Sequence, residues 1–221
     1  MTPFPNAARH ALLPGPLGEM LLGFDDEALH GLWFVGQKDQ RAIEACGARD
    51  DAHPIARRTA SAIERYFDGE PVELDLPLKL HGTAFQRAVW RALLAIPYGR
   101  TTSYAAVAAT VGAPSAVRAV GAAVGRNPVS IFVPCHRVVG SDGSLTGYAG
   151  GLPRKIRLLE IERVLDERGR VRTGPPVAQG TLDLDDRAAS IVEGAVAAAS
   201  AREAAAAAVA AAGGPAPGTA R

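Results

Sequence analysis

Residues 131–139 hold the feature that most constrains the fold: an apolar run that stops at a proline and is followed at once by a cysteine. The β-branched and aromatic residues 131–133 predict a short buried strand. Pro134 cannot donate to a strand ladder, so it should end the strand and turn the chain. Cys135 therefore falls at the end of a strand, where a rigid scaffold commonly carries its reactive groups.

This cysteine has two interpretations. A single buried cysteine is ordinarily a small hydrophobic side chain without a chemical role. Here, however, His136 and Arg137 follow it directly, and positive neighbours favour the reactive thiolate. Neighbouring side chains on an extended chain point to opposite faces. Only a bend at Pro134 and Cys135 could bring the His136 imidazole near the thiol, through a water molecule.

The composition favours an intracellular protein. A chain of 221 residues can bury a substantial core in one large or two small domains. Its two cysteines, Cys46 and Cys135, make neither a disulfide framework nor a four-cysteine zinc site, so a reducing compartment is expected. The start of the chain has no signal-peptide pattern, and no segment has the apolar length of a membrane span. We therefore predict a soluble cytoplasmic protein.

The net charge of +1 conceals a strong asymmetry along the chain. Residues 1–80 carry a net charge of −5, residues 81–165 a net charge of +7 and residues 166–221 a net charge of −1. A basic block of this kind is typical of proteins that bind polyanions such as nucleic acid. On charge alone, a solvated basic surface without a partner is the alternative.

The first 76 residues predict a small α/β domain. Two alternating segments within residues 17–35 flank an acidic turn and predict a β-hairpin. Apolar residues at helical spacing predict a helix over 55–67, and strict alternation predicts a strand over 72–76. Cys46 lies among polar residues near a turn, and we assign it no function.

Residues 77–165 predict a mainly helical domain with a helix-turn-helix. Thr83 can cap a first helix, and the hydroxyl residues 101–103 open a second one that closes at Gly112. A glycine-containing turn of three residues then leads into a helix from Ala116 to about residue 125. Arg118 is the only long side chain in the first turns of this helix. Small residues let the helix approach DNA closely, so a single arginine could enter the minor groove or the base stack. A plain surface arginine is the alternative.

A glycine loop follows the cysteine. After a turn at 140–144, residues 146–151 place glycines on both sides of Tyr148. Glycines there would allow the backbone to close over a flat ligand. An ordinary glycine loop is the alternative.

Pro153 is suited to the first turn of a last helix. Near the end of this helix, Glu162 lies on the same face as the apolar Leu158 and Leu159. A carboxylate on such a face is rarely left unpaired, and His136 is the candidate partner. This pairing would align carboxylate, imidazole and thiol in the order that activates a cysteine nucleophile. An edge glutamate paired with Lys155 or Arg163 is the alternative.

Residues 166–221 differ in character from the rest. They are first charged and then alanine-rich, with fifteen alanines over 187–212. Alanine favours helix, but an alanine helix has little to bury. We predict a tail that is disordered or partly helical and assign it no function.

Taken together, these motifs resemble the O6-alkylguanine-DNA alkyltransferase family, also called methylated-DNA–protein-cysteine methyltransferases. The resemblance spans about residues 77–163 and continues more weakly through the first half. It implies a ribonuclease-H-like α/β domain at 1–76 and a mainly α, winged-helix-like DNA-binding domain at 77–165. The segments that carry it are Asn127-Pro128, Val133-Pro134-Cys135-His136-Arg137-Val138, Thr146-Gly147-Tyr148-Ala149-Gly150-Gly151, the helix with Lys155 and Glu162, and the helix-turn-helix with Tyr104 and Arg118.

The resemblance implies DNA repair by irreversible transfer of an alkyl group from O6-alkylguanine, and from O4-alkylthymine, in double-stranded DNA to Cys135. His136, held by Glu162, would take the thiol proton, and Tyr104 would give a proton or hydrogen bond to the departing base. Arg118 would enter the duplex where the damaged base is flipped out. The other residues it implies are Ser115, Ala119 and Arg126 for DNA binding, Val124, Val138, Tyr148, Ala149 and Gly150 for the substrate pocket, and Asn127 and Lys155 for support of the site.

The resemblance implies a monomer without a cofactor, a membrane contact or a protein partner. Some members of the family hold zinc through N-terminal cysteines and histidines, but that domain offers only Cys46 here, so we predict no metal. Ala149 replaces a serine found in some relatives, so only its backbone N–H could serve. Two other functions remain open: a non-catalytic helix-turn-helix regulator in which Cys135 is only core, and a cysteine hydrolase, whose nucleophile and histidine normally lie far apart in sequence.

Overall fold

The computed structural model describes residues 9–38, 46–72 and 75–171. The strands are β1 (Arg9–Leu13), β2 (Met20–Phe24), β3 (Leu29–Phe34), β4 (Ala48–Arg49), β5 (Thr102–Ser103) and β6 (Val138–Val139). The α-helices are α1 (Pro54–Phe67), α2 (Ala84–Leu94), α3 (Tyr104–Thr110), α4 (Val117–Gly125) and α5 (Leu152–Ile161), and a 3-10 helix spans Cys135–Arg137.

The N-terminal domain is a sheet with the order β3-β2-β1-β4, covered by α1. β1, β2 and β3 are antiparallel, and β4 runs parallel to β1. The predicted hairpin is confirmed as β2–β3. Asp25 fixes its turn because its Oδ1 accepts the backbone N–H groups of Glu27 and Ala28 at 2.9 and 2.8 Å. The predicted helix is confirmed as α1, which begins at Pro54 and buries Tyr66 near its end.

The strand predicted over 72–76 is wrong where the structure describes it. Val72, Asp75 and Leu76 are not in a strand, and residues 73–74 lie outside the described part. The chain instead meets the free side of β3 a little later, where the N–H of Leu29 donates to Pro77 O and the N–H of Lys79 donates to Leu29 O, both at 2.9 Å. This contact covers one part of the edge of β3.

The C-terminal domain is built on α2, α3 and α4. Thr83 caps α2 as predicted, in a reciprocal capping box with Gln86. The indole N–H of Trp90 donates to Ala123 O at 2.9 Å and thereby ties α2 to α4. β5 pairs in parallel with β6, which brings the start of α3 next to the residues that follow Cys135.

The helix-turn-helix is present, but its turn is longer than predicted. α3 ends at Thr110 and α4 begins at Val117, so residues 111–116 join them instead of three residues. Pro114 disfavours the helical conformation at the residue before it, and a turn at 114–115 delays the next helix.

The strand predicted over 131–133 is wrong. These residues form a turn in which Ile131 adopts a left-handed conformation, with φ of 71°. They are apolar because they lie in the core between the domains. The backbone of β3 holds the turn, since the N–H of Leu32 donates to Pro128 O at 2.9 Å and the N–H of Ser130 donates to Leu32 O at 2.8 Å. The N-terminal sheet therefore positions the segment that leads to Cys135.

The tail falls almost entirely outside the described residues, which end at Val171. Within residues 9–38, 46–72 and 75–171, no helix is both long and apolar enough to cross a membrane. The same ranges contain no group of three or more His, Cys, Asp or Glu side chains arranged to hold a metal ion.

Candidate active site

Cys135 lies at the start of the 3-10 helix and is only 6% exposed. Asn127 fixes its sulfur, because the Nδ2 group donates to Sγ at 3.0 Å and to Val133 O at 2.7 Å. The Asn127 Oδ1 accepts the N–H of Val129 at 3.0 Å. The amide thus holds both the turn and the thiol, which accounts for a buried asparagine at this place.

The structure brings His136 and Glu162 together. His136 Nε2 lies 2.7 Å from Glu162 Oε1, and both side chains are fully buried. The carboxylate can only accept, so Nε2 carries the proton, and Nδ1 is left as the acceptor nitrogen of the ring. Nδ1 is buried and has no hydrogen-bond partner among the described residues. Because Glu162 is buried, the alternative of an exposed glutamate at the domain edge does not hold.

Arg137 and Gly99 also donate hydrogen bonds to Glu162. Neither role was predicted from the sequence. Arg137 Nε donates to Oε2 at 2.9 Å and Nη2 donates to Oε1 at 3.0 Å, a bidentate pair. Its Nη1 donates to Ile96 O at 2.6 Å, and the N–H of Gly99 donates to Oε2 at 3.2 Å. Arg137 was predicted to act on the thiol, but its guanidinium binds the carboxylate. Its place next to His136 in the sequence was the available signal.

Burial sets the charge states of the thiol and the imidazole. Desolvation raises the pKa of Cys135 in spite of the Asn127 hydrogen bond and the Lys155 charge. Desolvation also lowers the pKa of His136, against the attraction of Glu162. Burial thus outweighs the effect of the positive neighbours on the thiol. A neutral thiol next to a neutral imidazole requires that imidazole as its base.

Glu162 should make folding stability depend on acid. Desolvation opposes its ionisation, but hydrogen bonds and charge from His136 and Arg137 lower its pKa from 4.5 to about 2. A carboxyl group with a depressed pKa in the folded state stabilises the fold above its unfolded pKa and loses that contribution as pH falls toward the folded pKa. We expect the free energy of unfolding to decrease by on the order of 3 kcal/mol between about pH 5 and 2 from this group alone.

Urea unfolding across that range measures this effect. The matched variant is Glu160→Gln, which changes an exposed carboxylate on the same helix. It should retain the acid dependence, whereas Glu162→Gln should lose the part that Glu162 contributes; Asp25, whose pKa is also lowered, should keep its own part in both variants. An unchanged slope in Glu162→Gln would show that other carboxylates cause the acid sensitivity.

Lys155 ties the strand after Cys135 to the glycine loop. Its buried Nζ donates to Val138 O at 2.6 Å and to Thr146 O at 2.8 Å. Desolvation lowers the pKa of Lys155 to about 8, against the attraction of Cys135. The lysine therefore acts as a brace between β6 and the loop, at the position predicted for a supporting residue.

Tyr104 begins α3 and lies on the other side of the same loop. Its hydroxyl donates to Gly147 O at 3.4 Å. Burial raises the pKa of Tyr104, so the phenol keeps its proton at neutral pH. It can therefore donate to a bound base.

The glycine loop covers the site. Ala149 O accepts the N–H of Lys38 at 3.1 Å, and Gly150 O accepts Arg154 Nη1 at 3.0 Å. A Cβ atom at Gly150 would lie 2.7 Å from the ring of Tyr148 and 3.3 Å from that of Phe34, so no larger residue fits. Tyr148, within this loop, is partly buried, and its hydroxyl is enclosed.

The residues predicted to bind DNA lie together on the outside of the helix-turn-helix. Ser115 precedes α4, Arg118 and Ala119 lie in its first turns and Arg126 follows it, and all four are exposed. Val124, predicted to line the pocket, is buried on the opposite side of the helix. α4 thus presents a small-residue surface with arginines at both ends.

Comparison with known proteins supports the same architecture. Residues 84–164 match the family described as 6-O-methylguanine DNA methyltransferase, DNA binding domain, and residues 8–80 match its ribonuclease-like domain. A methylated-DNA–protein-cysteine methyltransferase of Haemophilus influenzae is 42% identical over 173 residues, which cover 77% of this chain and 95% of that protein. The enzyme of Mycolicibacterium paratuberculosis is 48% identical over 151 residues, 67% of this chain and 88% of that protein. A crystal structure of Mycobacterium tuberculosis OGT in complex with DNA aligns with a TM-score of 0.65 at 42% identity, covering 70% of this chain and 92% of that one.

A ribonuclease-like domain joined to a helix-turn-helix domain that holds a thiol beside an acid–base pair defines a class of DNA-repair proteins. The chain belongs to the methylated-DNA–protein-cysteine methyltransferase family. The predicted α/β and mainly helical domains are thereby confirmed.

Proposed function

We propose that the chain repairs DNA by moving an alkyl group from the O6 atom of guanine to Cys135. The observation that carries this proposal is the buried pair of His136 and Glu162 next to a thiol that Asn127 fixes at 3.0 Å. Family membership supplies the substrate class, and the basic C-terminal domain suits a DNA partner.

The reaction exchanges the thiol proton for the alkyl group. Cys135 gives its proton to His136 Nδ1 through a water molecule, and Glu162 steadies the imidazolium that forms. The sulfur then forms a bond to the alkyl carbon while the bond from that carbon to the guanine oxygen breaks. Tyr104 donates a hydrogen bond to the departing base, which takes up the proton in the net reaction. The thioether that forms on Cys135 is stable, and the proposed reaction contains no step that removes the alkyl group again. Each molecule therefore reacts once.

Cys135 is only 6% exposed, and we propose that the glycine loop moves when the base enters. The carbonyl groups of the loop accept single hydrogen bonds from the Lys38 backbone and from the side chains of Tyr104, Arg154 and Lys155, and such bonds can break without loss of the fold. Val138, Tyr148, Ala149 and Gly150 would then line the pocket. O4-alkylthymine, whose alkyl group occupies a similar place, is the second substrate we propose.

Mass spectrometry after incubation with a duplex that contains O6-methylguanine tests the proposal. A gain of one methylene in mass, located on the peptide that carries Cys135, is the expected result. Unmodified protein that nevertheless binds the lesion would favour a non-catalytic regulator. Repeated turnover of an ester or peptide substrate would favour a hydrolase. We further propose a monomer in the cytoplasm, on the cysteine content and on family resemblance.

Arg118→Ala should weaken repair of duplex DNA more than reaction with free O6-benzylguanine. The exposed Arg118 would stabilise the duplex after the damaged base leaves the stack, and a free base needs no such help. We expect about a tenfold loss in the second-order rate constant on duplex and little change on the free base, since one arginine contact is worth about 1–3 kcal/mol.

Arg91→Ala provides the matched control, because Arg91 is equally exposed but lies on α2. Rapid-quench kinetics give, for each variant, the ratio of the rate constant on duplex DNA to that on the free base. An equal loss on both substrates in Arg118→Ala would contradict a role that is confined to the duplex.

A further inference from the structure

Among the described residues of the N-terminal domain, Tyr66, near the end of α1, hydrogen-bonds to the acid–base pair. Tyr66 is 2% exposed, and its hydroxyl donates to Glu162 Oε1 at 2.8 Å. The same hydroxyl lies 3.4 Å from His136 Nε2. The two rings meet edge to face, with centroids 6.4 Å apart. A residue of the domain without the thiol therefore contacts both members of the pair.

The hydroxyl donates its hydrogen bond to the carboxylate. Burial and the neighbouring Glu162 charge raise the pKa of Tyr66, so the phenol keeps its proton. Glu162 Oε1 accepts from Tyr66, from His136 Nε2 at 2.7 Å and from Arg137 Nη2 at 3.0 Å. Three donors on one oxygen fix the direction from which each of them approaches.

We propose that Tyr66 is a positioning residue for alkyl transfer, contributed by the ribonuclease-like domain, which aligns Glu162 and His136 for the removal of the Cys135 proton. This proposal rests on the proposed function and adds a residue to it. It also gives the N-terminal domain a part in the chemistry.

A second set of contacts supports this role for the domain. β3 holds the turn before Cys135, because Leu32 exchanges two backbone hydrogen bonds with Pro128 and Ser130. Gln37 Oε1 accepts the hydroxyl of Ser130 at 3.3 Å. The N-terminal domain thus fixes the segment that leads to the thiol on one side and the acid–base pair on the other.

The hydroxyl should also tune the base. A carboxylate that loses one donor attracts the His136 proton more strongly, so imidazolium persists to higher pH. The other charged groups that face His136 are Lys155 from α5, Glu162 directly after α5 and Arg137 from the 3-10 helix. Tyr98 lies beyond them, over Arg137. None of these changes in Tyr66→Phe, so the shift can be assigned to the hydroxyl.

The test is the pH dependence of single-turnover methyl transfer by full-length Tyr66→Phe, with lesion duplex in excess. Under these conditions the rate constant does not depend on the fraction of protein that is folded; only the amplitude does. We expect the midpoint of the acidic limb to rise by about 0.5–1 pH unit. The rate below the midpoint should fall about three- to tenfold, because one pH unit corresponds to a tenfold change in the neutral imidazole.

Tyr98→Phe is the matched control. It removes a hydroxyl from a ring whose centroid is 6.2 Å from that of Tyr66, but this hydroxyl donates to the carbonyls of Gly69 and Ile161. It should lower the melting temperature without moving the pH profile. Replacement of Tyr66 by difluorotyrosine keeps the packing and strengthens the donor, so it should move the acidic limb to lower pH even if the phenylalanine variant folds poorly.

The outcomes separate the two proposals. If the wild type transfers no methyl group, the proposed function fails and the role of Tyr66 fails with it. If the wild type transfers and both Tyr66 variants keep its pH profile, only the positioning role is wrong, and Tyr66 serves the fold alone. Opposite shifts in the two variants, with no shift in Tyr98→Phe, are the result we expect.

Discussion

Methyl transfer is expected to disappear when Cys135 is replaced by alanine, while affinity for DNA is retained. The Cys135 sulfur is the nucleophile that Asn127 fixes near His136, so without it the rate should fall to that of the uncatalysed reaction. The sulfur is small and buried, and its loss should cost about 1 kcal/mol of stability, as for one methylene-sized group. The variant therefore separates chemistry from binding.

Transfer of radiolabelled methyl groups from duplex DNA measures the chemistry, and fluorescence anisotropy measures binding. Cys46→Ala is the matched control, because Cys46 is also a buried cysteine but packs against Leu21 and Trp33 in the N-terminal domain. It should transfer at the wild-type rate. Transfer by Cys135→Ala, or its loss in Cys46→Ala, would contradict the assignment of the acceptor.

Glu162→Gln should both slow transfer and destabilise the fold. The carboxylate accepts from His136, Tyr66 and Gly99 and forms a bidentate pair with Arg137. An amide places an NH2 group against some of these donors and leaves Arg137 buried without a counter-ion, which costs about 3–5 kcal/mol. The imidazolium also loses its partner, so the apparent thiol pKa should rise and transfer should slow by about 100-fold or more.

Denaturant unfolding and single-turnover kinetics measure the two effects separately. Glu160→Gln removes only an exposed ion pair with Arg157 on the same helix, and should change stability by less than about 1 kcal/mol. It should transfer normally. A Glu162→Gln variant with the wild-type rate would mean that His136 needs no carboxylate, and the acid–base account would be wrong.

Local sequence patterns predicted most of the secondary structure. The spacing of apolar residues and the residues of the turns were enough to predict the hairpin β2–β3 and the helix α1. Both elements are held by hydrogen bonds between residues that are close in sequence. The capping box at Thr83 and the proline in the first turn of α5 were visible for the same reason. The pairing of Glu162 with His136 was also predictable, since a carboxylate on an apolar face needs a buried partner.

The failures around the site come from contacts that are distant in sequence. Residues 131–133 have the composition of a strand, but Val133 O accepts from the Asn127 side chain and the preceding Pro128 and Ser130 bond to Leu32, so the segment turns instead. Burial of Cys135 depends on the whole fold, and it raises the pKa of the thiol in spite of the neighbouring positive charge. Tyr66 lies 96 residues from Glu162 in sequence and looks like any aromatic residue on a core helix. No local pattern indicates it.

The central claim is that Cys135 receives one alkyl group and keeps it. The most direct measurement is a titration of the full-length protein against an excess of duplex that contains O6-methylguanine, in which methyl groups moved per protein molecule are counted to completion. We predict that transfer stops at one methyl group per active molecule and that all of it is found on Cys135. Transfer that continues beyond one, or repair of the duplex with Cys135 unmodified, would contradict the account.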